Sequence, residues 1–191
     1  LEEPVSPITG TKFRNATSTK MVHIAEFAAD LIHQGKLKLD PRRNDHLKTT
    51  FHDSCNIARG MGMLEEPRYV LRKVCNNFNE MPENTIREQT FCCGSGSGLN
   101  SDEYMDVRMR GGFPRASAVK YVKDKFGVNA LVAICAIDRA TLPLLMKYWN
   151  PGVSVYGLHE LVGNALVMDG EDDRTEDLRE DDMVDLENNS E

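Results

Sequence analysis

The stretch from Cys92 to Gly98 contains two adjacent cysteines followed by three glycines in five positions. Adjacent cysteines rarely pair with each other, because disulfide geometry strains neighbouring residues. Two neighbouring thiols can instead bind a metal, and the glycines let the backbone approach a bulky group. Two further cysteines flank this pair: Cys55 lies 37 positions before Cys92, and Cys135 lies 42 positions after Cys93. The sequence therefore raises the question of what four thiolates hold.

Four thiolates are suitable ligands for zinc or for an iron–sulfur cluster. Structural zinc sites usually combine two Cys-x-x-Cys pairs, and the sequence contains none. Ligands spread over about 80 residues, with a glycine-rich loop between them, are more typical of a cluster inside a folded domain. Asp138 stands where a second cysteine would complete a Cys-x-x-Cys motif with Cys135. Its carboxylate can bind iron, and it can equally cap the helix predicted to follow.

Two of these cysteines come directly after predicted strands. Residues 47–51, rich in threonine and phenylalanine, run into His52-Asp53-Ser54-Cys55, and the apolar residues 129–134 end at Cys135. Ligands of open α/β sheets lie beyond the carboxyl ends of parallel strands, so we expect these thiols to converge at one edge. His52 can deliver a proton there, or it can orient the loop through a hydrogen bond.

The remaining elements alternate between helices and strands. Apolar residues at helical spacing predict helices over about 24–34, 66–78, 101–110, 114–126, 139–149 and 158–166, and a third strand covers 153–156. This alternation predicts an α/β fold: an open, mostly parallel sheet with helices on both faces and the cysteine-rich loops at the carboxyl ends of the strands. We expect Cys75 to lie in the core as a small apolar residue, and Trp149 to point inward.

The composition is that of a globular protein with one main domain: 191 residues, 40% apolar and 28% charged. We expect a linker over 1–18, a cysteine-rich domain over 19–168 and an acidic, disordered tail over 169–191. The tail holds 12 of the 30 acidic residues, so the net charge of −7 conceals a mildly basic body. Because the chain opens with Leu1, we expect it to be a piece of a longer protein or a processed product.

The sequence argues against several functional classes. It has no basic stripe with interleaved aromatic residues, so we expect no nucleic-acid partner. The longest apolar run, Ala130 to Ile137, is too short to span a membrane. Five cysteines at unequal spacings argue against a secreted disulfide framework and favour a reducing compartment. The glycine loop has Leu99 where a dinucleotide-binding motif needs its last glycine.

The order of the cysteine motifs is specific. His52-Asp53-Ser54-Cys55-Asn56-Ile57-Ala58-Arg59 is followed by Cys92-Cys93-Gly94 and then by Cys135-x-x-Asp138. Over roughly residues 20–168 the chain resembles the cysteine-rich CCG domain of heterodisulfide reductase B and D subunits, in which a cysteine precedes a distant Cys-Cys-Gly and a Cys-x-x-Cys. Asp138 replaces the last cysteine of that pattern. With the acidic tail, this departure is similar to the K subunit of the sulfite-reduction-linked membrane complex (DsrMKJOP).

The resemblance implies a [4Fe–4S] cluster of non-cubane type, held by Cys55, Cys92, Cys93 and Cys135 with Asp138 in the fifth position. An ordinary cubane cluster is an alternative, because Asp138 replaces a cysteine. The implied activity is that of an oxidoreductase that reduces a disulfide or trisulfide, with His52, Cys92 and Cys93 as the catalytic residues.

The resemblance also implies partners and a location. The partners would be other subunits of a membrane-bound electron-transfer complex and a small sulfur-carrier protein of DsrC type with C-terminal cysteines. The chain would be cytoplasmic and peripheral, held at the inner face of the membrane through those subunits.

Two other functions are left open by the residues themselves. One is a structural interaction subunit that holds zinc or a cubane cluster without catalysis of its own. The other is a thiol enzyme that uses Cys92 or Cys93 as its nucleophile, with His52 or His159 as the base. Four arginines are candidates to stabilise a negatively charged site, and we expect each of them at the solvated surface: Arg59, Arg110, Arg115 and Arg139.

Overall fold

The computed structural model of the chain describes residues 22–96, 99 and 101–168. The described part contains one parallel sheet of three strands in the order β1-β2-β3: Thr49–Phe51, Ala130–Ala133 and Ser154–Gly157. Its α-helices, α1 to α6, are Ile24–His33, Glu66–Val74, Met105–Gly111, Phe113–Phe126, Ala136–Trp149 and Leu158–Ala165. The predicted linker over 1–18 and the predicted acidic tail over 169–191 lie outside the described residues.

The strand register places the ends of β1 and β2 side by side. Phe51 pairs with Val132, and Ala133 of β2 pairs with Gly157 of β3. The backbone N–H of His52 donates to the carbonyl oxygen of Val132 at 2.8 Å, which extends the pairing one residue beyond β1. The segments that carry Cys55 and Cys135 therefore leave the sheet at the same edge.

Both faces of the sheet are covered by helices. Successive side chains of a strand point to opposite faces. Ala130 and Val132 pack in a cluster with residues of α1, α2 and α6, whereas Leu131 and Ala133 pack in a second cluster with residues of α4 and α5. All four of these side chains are fully buried. The predicted α/β fold, a parallel sheet with helices on both faces, is confirmed.

Local sequence signals set the ends of the helices. Pro114 lies in the first turn of α4, where a missing backbone N–H leaves no hydrogen bond unmade. Gly127 ends that helix with a left-handed φ of 71°, and its N–H donates to the carbonyl oxygen of Lys123. Cys75 follows α2 and is 2% exposed, as predicted, and burial raises the pKa of its thiol to about 12.

The prediction that Trp149 points inward is wrong, because 37% of the residue is exposed. It is the last residue of α5, where its indole Nε1 donates to the carbonyl oxygen of Met109 at 3.1 Å. Its ring packs against Phe113, with 4.6 Å between the ring centroids. The aromatic ring therefore covers the junction of α3 and α4 from outside instead of entering the core.

Irregular segments with short turns connect the regular elements. A single π turn covers Asn56–Gly60, directly after Cys55, and 3-10 turns cover Pro41–Asn44, Glu83–Thr85, Arg87–Gln89 and Asp102–Tyr104. These segments carry the residues that surround the cysteines. Over the ranges that the structure describes, none of the helices has the length and apolarity needed to cross a membrane.

Candidate functional site

Asp138 lies on the segment that carries Cys135 and contacts the other two cysteine-bearing segments. It lies in the first turn of α5, three residues after Cys135, and is only 4% exposed. The hydroxyl of Ser54 donates a hydrogen bond to its Oδ2, and Nε2 of His52 lies 3.4 Å from its Oδ1. The thiol of Cys93 is also within hydrogen-bonding reach of the carboxylate. One buried carboxylate therefore joins the segments that follow β1 and β2 to the Cys-Cys-Gly loop.

Asp138 does not act as a cap of α5, so that alternative is wrong. In the described part of the chain, its carboxylate accepts hydrogen bonds from Ser54, His52 and Cys93 instead of from the first N–H groups of the helix. Burial acts to raise the pKa of Asp138, but the hydrogen bond and charge of His52, together with Ser54 and Cys93, outweigh burial and lower it. Asp138 is therefore a negatively charged group at neutral pH.

The two adjacent cysteines have opposite environments, since Cys92 is exposed and Cys93 is buried. The hydrogen bond from Cys93 is the main reason that the pKa of Cys92 falls to about 5, although burial opposes it. The N–H of Gly94, 3.3 Å from the sulfur of Cys92, adds to this effect. The same thiol–thiol hydrogen bond, with burial and the charge of Asp138, raises the pKa of Cys93. Of the two sulfurs, Cys92 is the thiolate and Cys93 keeps its proton.

Glycine is required directly after the cysteine pair. Gly94 has a φ of 95°, and a Cβ atom at this position would lie 2.4 Å from the carbonyl oxygen of Arg108 in α3. The next residue, Ser95, is 1% exposed, and its hydroxyl forms a hydrogen bond with the hydroxyl of Thr141 in α5. The loop is therefore packed against α3 and α5 immediately after its thiols.

Asp53 fixes the backbone that follows β1. Its two carboxylate oxygens each accept a hydrogen bond of 2.7 Å from the guanidinium of Arg68, which is completely buried. Its Oδ2 also accepts from the backbone N–H of Arg87 at 2.7 Å, and its carbonyl oxygen accepts from the hydroxyl of Thr90 at 2.7 Å. These bonds join the segment that contains Cys55 to the segment that leads into the cysteine pair.

Arg115 was expected at the surface, and this expectation is wrong, because its side chain is fully buried. It lies on the same stripe of α4 as Val119 and Val122, at positions i, i+4 and i+7, and both valines are also fully buried. That spacing is the signal that could have placed it inside. The other three arginines follow the expectation more closely, since Arg59 and Arg110 are exposed and Arg139 is half-buried.

The structure separates the predicted site residues into two groups. His52, Cys92, Cys93 and Asp138 lie close enough to affect one another. Cys55 is exposed and Cys135 is half-buried, each at the carboxyl edge of the sheet, and both thiols are free.

The two candidate histidine bases lie in different places. His159 lines an apolar cavity of about 250 Å³ together with Ile134 and Leu158. His52, by contrast, is the histidine that faces Asp138.

Sequence reasoning did not single out Arg68 or Thr90, and Ser54 entered it only as part of a motif. Arg68 shares a stripe of α2 with Leu71 and Val74, which are both fully buried, so its spacing also pointed inward. Ser54 and Thr90 carry no comparable signal, because a hydroxyl in an irregular segment is found at the surface as readily as in a buried hydrogen bond.

Thiols dominate the donor set of this site. Among the residues that the structure describes, no three histidine, cysteine or carboxylate side chains are arranged to hold a metal ion. Ligands of a multinuclear cluster bind different metal atoms, so they need not surround one point as the ligands of a single ion do. Cys55 and Cys135 follow strands that end at one edge of the sheet, and Asp138 links that edge to the Cys92–Cys93 pair. Thiols with an acidic group beside them fit a thiolate-bound cluster by their chemistry.

Comparisons with known proteins identify the region that contains these residues. Residues 49–137 match the family described as CCG, cysteine-rich domain. The chain is 52% identical over 160 residues to the Hdr-like menaquinol oxidoreductase iron-sulfur subunit of Archaeoglobus profundus. The aligned residues are 84% of this chain and 29% of that protein. It is 50% identical over 172 residues to the Hdr-like menaquinol oxidoreductase iron-sulfur subunit 2 of Archaeoglobus fulgidus. Here the aligned residues are 89% of this chain and 31% of that protein.

A more distant relative is the D subunit of the dihydromethanophenazine:CoB–CoM heterodisulfide reductase of Methanosarcina barkeri, 31% identical over 150 residues, covering 77% of this chain and 34% of that protein. The chain thus spans about a third of the length of these curated relatives. No solved structure gives a significant match. The matched region begins with β1 and includes Cys55, Cys92, Cys93 and Cys135. Residues 49–137 are thus a cysteine-rich CCG domain, similar to those of heterodisulfide reductase-like proteins, and the resemblance predicted from the order of the motifs is confirmed.

Proposed function

We propose that this chain is the cluster-binding domain of a heterodisulfide reductase-like oxidoreductase that delivers electrons to a sulfur–sulfur bond. The observation that supports this proposal is the position of Asp138, which accepts hydrogen bonds from residues of two other cysteine-bearing segments. Ser54 and Asp138 are 84 positions apart, so their contact depends on the whole fold. Buried polar contacts of this kind fix one arrangement of the segments that carry the thiols.

The proposed ligands are Cys55, Cys92, Cys93 and Cys135, and the proposed group is a [4Fe–4S] cluster of non-cubane type. Such a cluster supplies single electrons and soft metal atoms with affinity for sulfur. Asp138 is proposed for the fifth position. Its Oδ2 is held by Ser54 and its Oδ1 lies 3.4 Å from His52, so the carboxylate is held in one orientation beside Cys93.

His52 is proposed to orient Asp138 and to hold a proton beside Cys92. His52 is 1% exposed, and its Nδ1 is buried without a hydrogen-bond partner in the described residues. Cleavage of a disulfide consumes two electrons, and each released thiolate takes up a proton to become a thiol. The buried imidazole of His52, which lies near Cys92, can supply one of these protons.

The exposed side of the site is proposed as the place where the substrate sulfur arrives, because Cys92 and Cys55 both face solvent. The names of the Archaeoglobus relatives support menaquinol as the source of electrons, passed on by other subunits. A place for that complex on the cytoplasmic side of a membrane is proposed from the sequence resemblance alone. A small sulfur-carrier protein of DsrC type is proposed as the substrate from the sequence resemblance. A small organic heterodisulfide is the alternative, supported by the name of the Methanosarcina relative.

The proposal is tested by measuring iron, acid-labile sulfide, visible absorbance and EPR on protein purified without oxygen. We expect about four irons per chain, with matching sulfide. Single serine substitutions at Cys55, Cys92, Cys93 and Cys135 should each lower the iron content. Cys75→Ser is the matched control and should keep the iron, because this thiol is buried in the core beside α2.

Two outcomes would contradict the proposal. Equal iron loss in Cys75→Ser would show that folding, and not ligation, controls the iron content. One zinc per chain in colourless protein would support the structural alternative, a protein without catalysis of its own.

A further inference from the structure

Arg115 is completely buried, and among the described residues its guanidinium donates hydrogen bonds only to neutral groups. Its guanidinium donates to the carbonyl oxygen of Thr85 at 2.6 Å, to the hydroxyl of Thr90 at 2.7 Å and to the sulfur of Met81 at 2.9 Å. Its Nε has no hydrogen-bond partner within the described part of the chain. A buried charge is costly unless an opposite charge lies near it. The position of Arg115 therefore calls for a negative group that is not in direct contact with it.

Arg68 is as completely buried as Arg115, but its charge is compensated directly. Arg68 lies 2.7 Å from Asp53 and 2.6 Å from Glu80, so two carboxylates compensate its charge directly. Of these two completely buried arginines, Arg68 is therefore paired with carboxylates and Arg115 is not, so the charge of Arg115 remains able to act on the cysteine pair. Arg108 in α3, which is 3% exposed, is also buried, and its Nε likewise has no hydrogen-bond partner among the described residues.

The cysteine pair and its acidic neighbours are the negative groups around Arg115. Burial lowers the pKa of Arg115 to about 10, and Asp53, Asp138 and the cysteine pair act in the opposite direction, so the guanidinium stays protonated at neutral pH. Its central carbon lies 5.9 Å from the ring centroid of Phe91, the residue before Cys92. Arg115 thus lies on the buried side of the pair, whereas solvent lies beside the exposed thiol of Cys92.

We propose that Arg115 is the buried counter-charge of the site at Cys92, Cys93 and Asp138, and that it raises the reduction potential of the cluster held there. This inference rests on the proposed function. Reduction adds one electron from the donor to a thiolate-bound group that is already anionic, and no bond is made or broken in that step. A fixed positive charge in a low-dielectric interior stabilises the more negative, reduced state. Arg115 is in this sense a positioning and electrostatic residue and not a catalytic one.

The test is an EPR-monitored redox titration with dithionite on the loaded protein. Arg115→Met removes the charge and should shift the midpoint potential to more negative values. Arg115→Lys keeps the charge while losing part of the hydrogen bonding, so it should stay near the wild-type potential. Arg59→Met is the matched control. Arg59 donates to the carbonyl oxygens of Glu88 and Thr90, each at 2.7 Å, so it supports the same segment as Arg115, but it is exposed and water screens its charge.

Each outcome decides the inference. A wild-type potential in Arg115→Met, or an equal shift in Arg59→Met, would show that the charge of Arg115 does not act on the cluster. If Arg115→Met does not fold, Arg115→Gln takes its place as the neutral variant. If Arg115→Lys takes up the cluster and neither neutral variant does, the positive charge itself is required, which would support the counter-charge. If none of the three variants takes up the cluster, the hydrogen bonds of Arg115 are what the protein requires, which would contradict the counter-charge. A wild-type protein without any cluster would instead contradict the proposed function.

Discussion

The imidazole of His52 and the carboxylate of Asp138 face each other across the ends of two neighbouring strands, with Nε2 3.4 Å from Oδ1. His52 directly follows β1, and Asp138 lies in the first helical turn after β2, so the parallel pairing of these strands brings them together. Both side chains are at least 95% buried, which protects their interaction from solvent screening. The two strand ends are therefore held in one arrangement at the cysteine site.

Replacing Asp138 tests whether its contacts stabilise the fold. Asp138→Ala should lower the free energy of unfolding of the cluster-free protein by about 3 kcal/mol, because Ser54 and His52 would stay buried without their acceptor. Asp138→Asn keeps one acceptor oxygen and should cost less. Urea denaturation measures both values, and Asp124→Ala, at an exposed carboxylate, serves as the control. An alanine variant as stable as the wild type would show that this carboxylate does not hold the segments together.

Breaking the buried ion pair between Arg68 and Asp53 should be more costly. Arg68→Met leaves the carboxylate of Asp53 buried without its bidentate partner and should destabilise the protein by about 3–5 kcal/mol. Adding Asp53→Asn to this variant should recover part of the loss, which a double-mutant cycle measures. The exposed pair Lys120–Asp124, at 2.9 Å, is the control, and Lys120→Ala should cost under about 1 kcal/mol. Equal losses at the two pairs would contradict the role of burial.

The glycine loop offers a matched pair of substitutions. Gly94→Ala would place a Cβ 2.4 Å from the carbonyl oxygen of Arg108 at a φ of 95°, so the backbone would have to move. We expect a loss of roughly 2 kcal/mol or more in the free energy of unfolding, together with lower iron uptake. Gly96→Ala meets no described atom within 4 Å and should change stability by less than about 0.5 kcal/mol. Thermal unfolding and iron analysis of both variants give the comparison, and similar behaviour of the two would refute it.

Thiol labelling of the cluster-free protein tests the contrast between Cys92 and Cys75. The thiolate is the reactive form, so a pKa lowered to about 5 predicts that Cys92 is alkylated almost as fast at about pH 6 as at about pH 8. Cys75 is buried with its pKa raised to about 12, so it should stay unlabelled over that range. Iodoacetamide labelling followed by peptide mass mapping measures both. A Cys92 rate that climbs steeply between these pH values, as for an ordinary thiol, would contradict the prediction.

The sequence was sufficient to predict the sheet and its cysteine-bearing edge. The apolar residues 129–134 and the β-branched and aromatic residues of 47–51 carry strong local signals, and the strands lie inside those ranges. The role of Asp138 was not predictable in the same way, because a carboxylate after a strand looks alike whether it caps a helix or accepts bonds from residues 84 positions away. The helical spacing of Arg115 from Val119 and Val122 did indicate that it faces the core. An arginine at such a position is nevertheless usually assigned to the surface, because its long side chain can reach solvent.

Thr49 of β1 pairs with Ala130 of β2, so during synthesis β1 is made long before the strand that it pairs with. A ribosome adds about 5–20 residues per second, so the first strand and Cys55 wait roughly ten seconds for the neighbouring strand to be made. Asp138 and Cys135 are the last members of the site to be synthesised. A nascent chain therefore exposes an incomplete set of thiols, and a group that needs all four proposed ligands would be bound only after Cys135 has been synthesised.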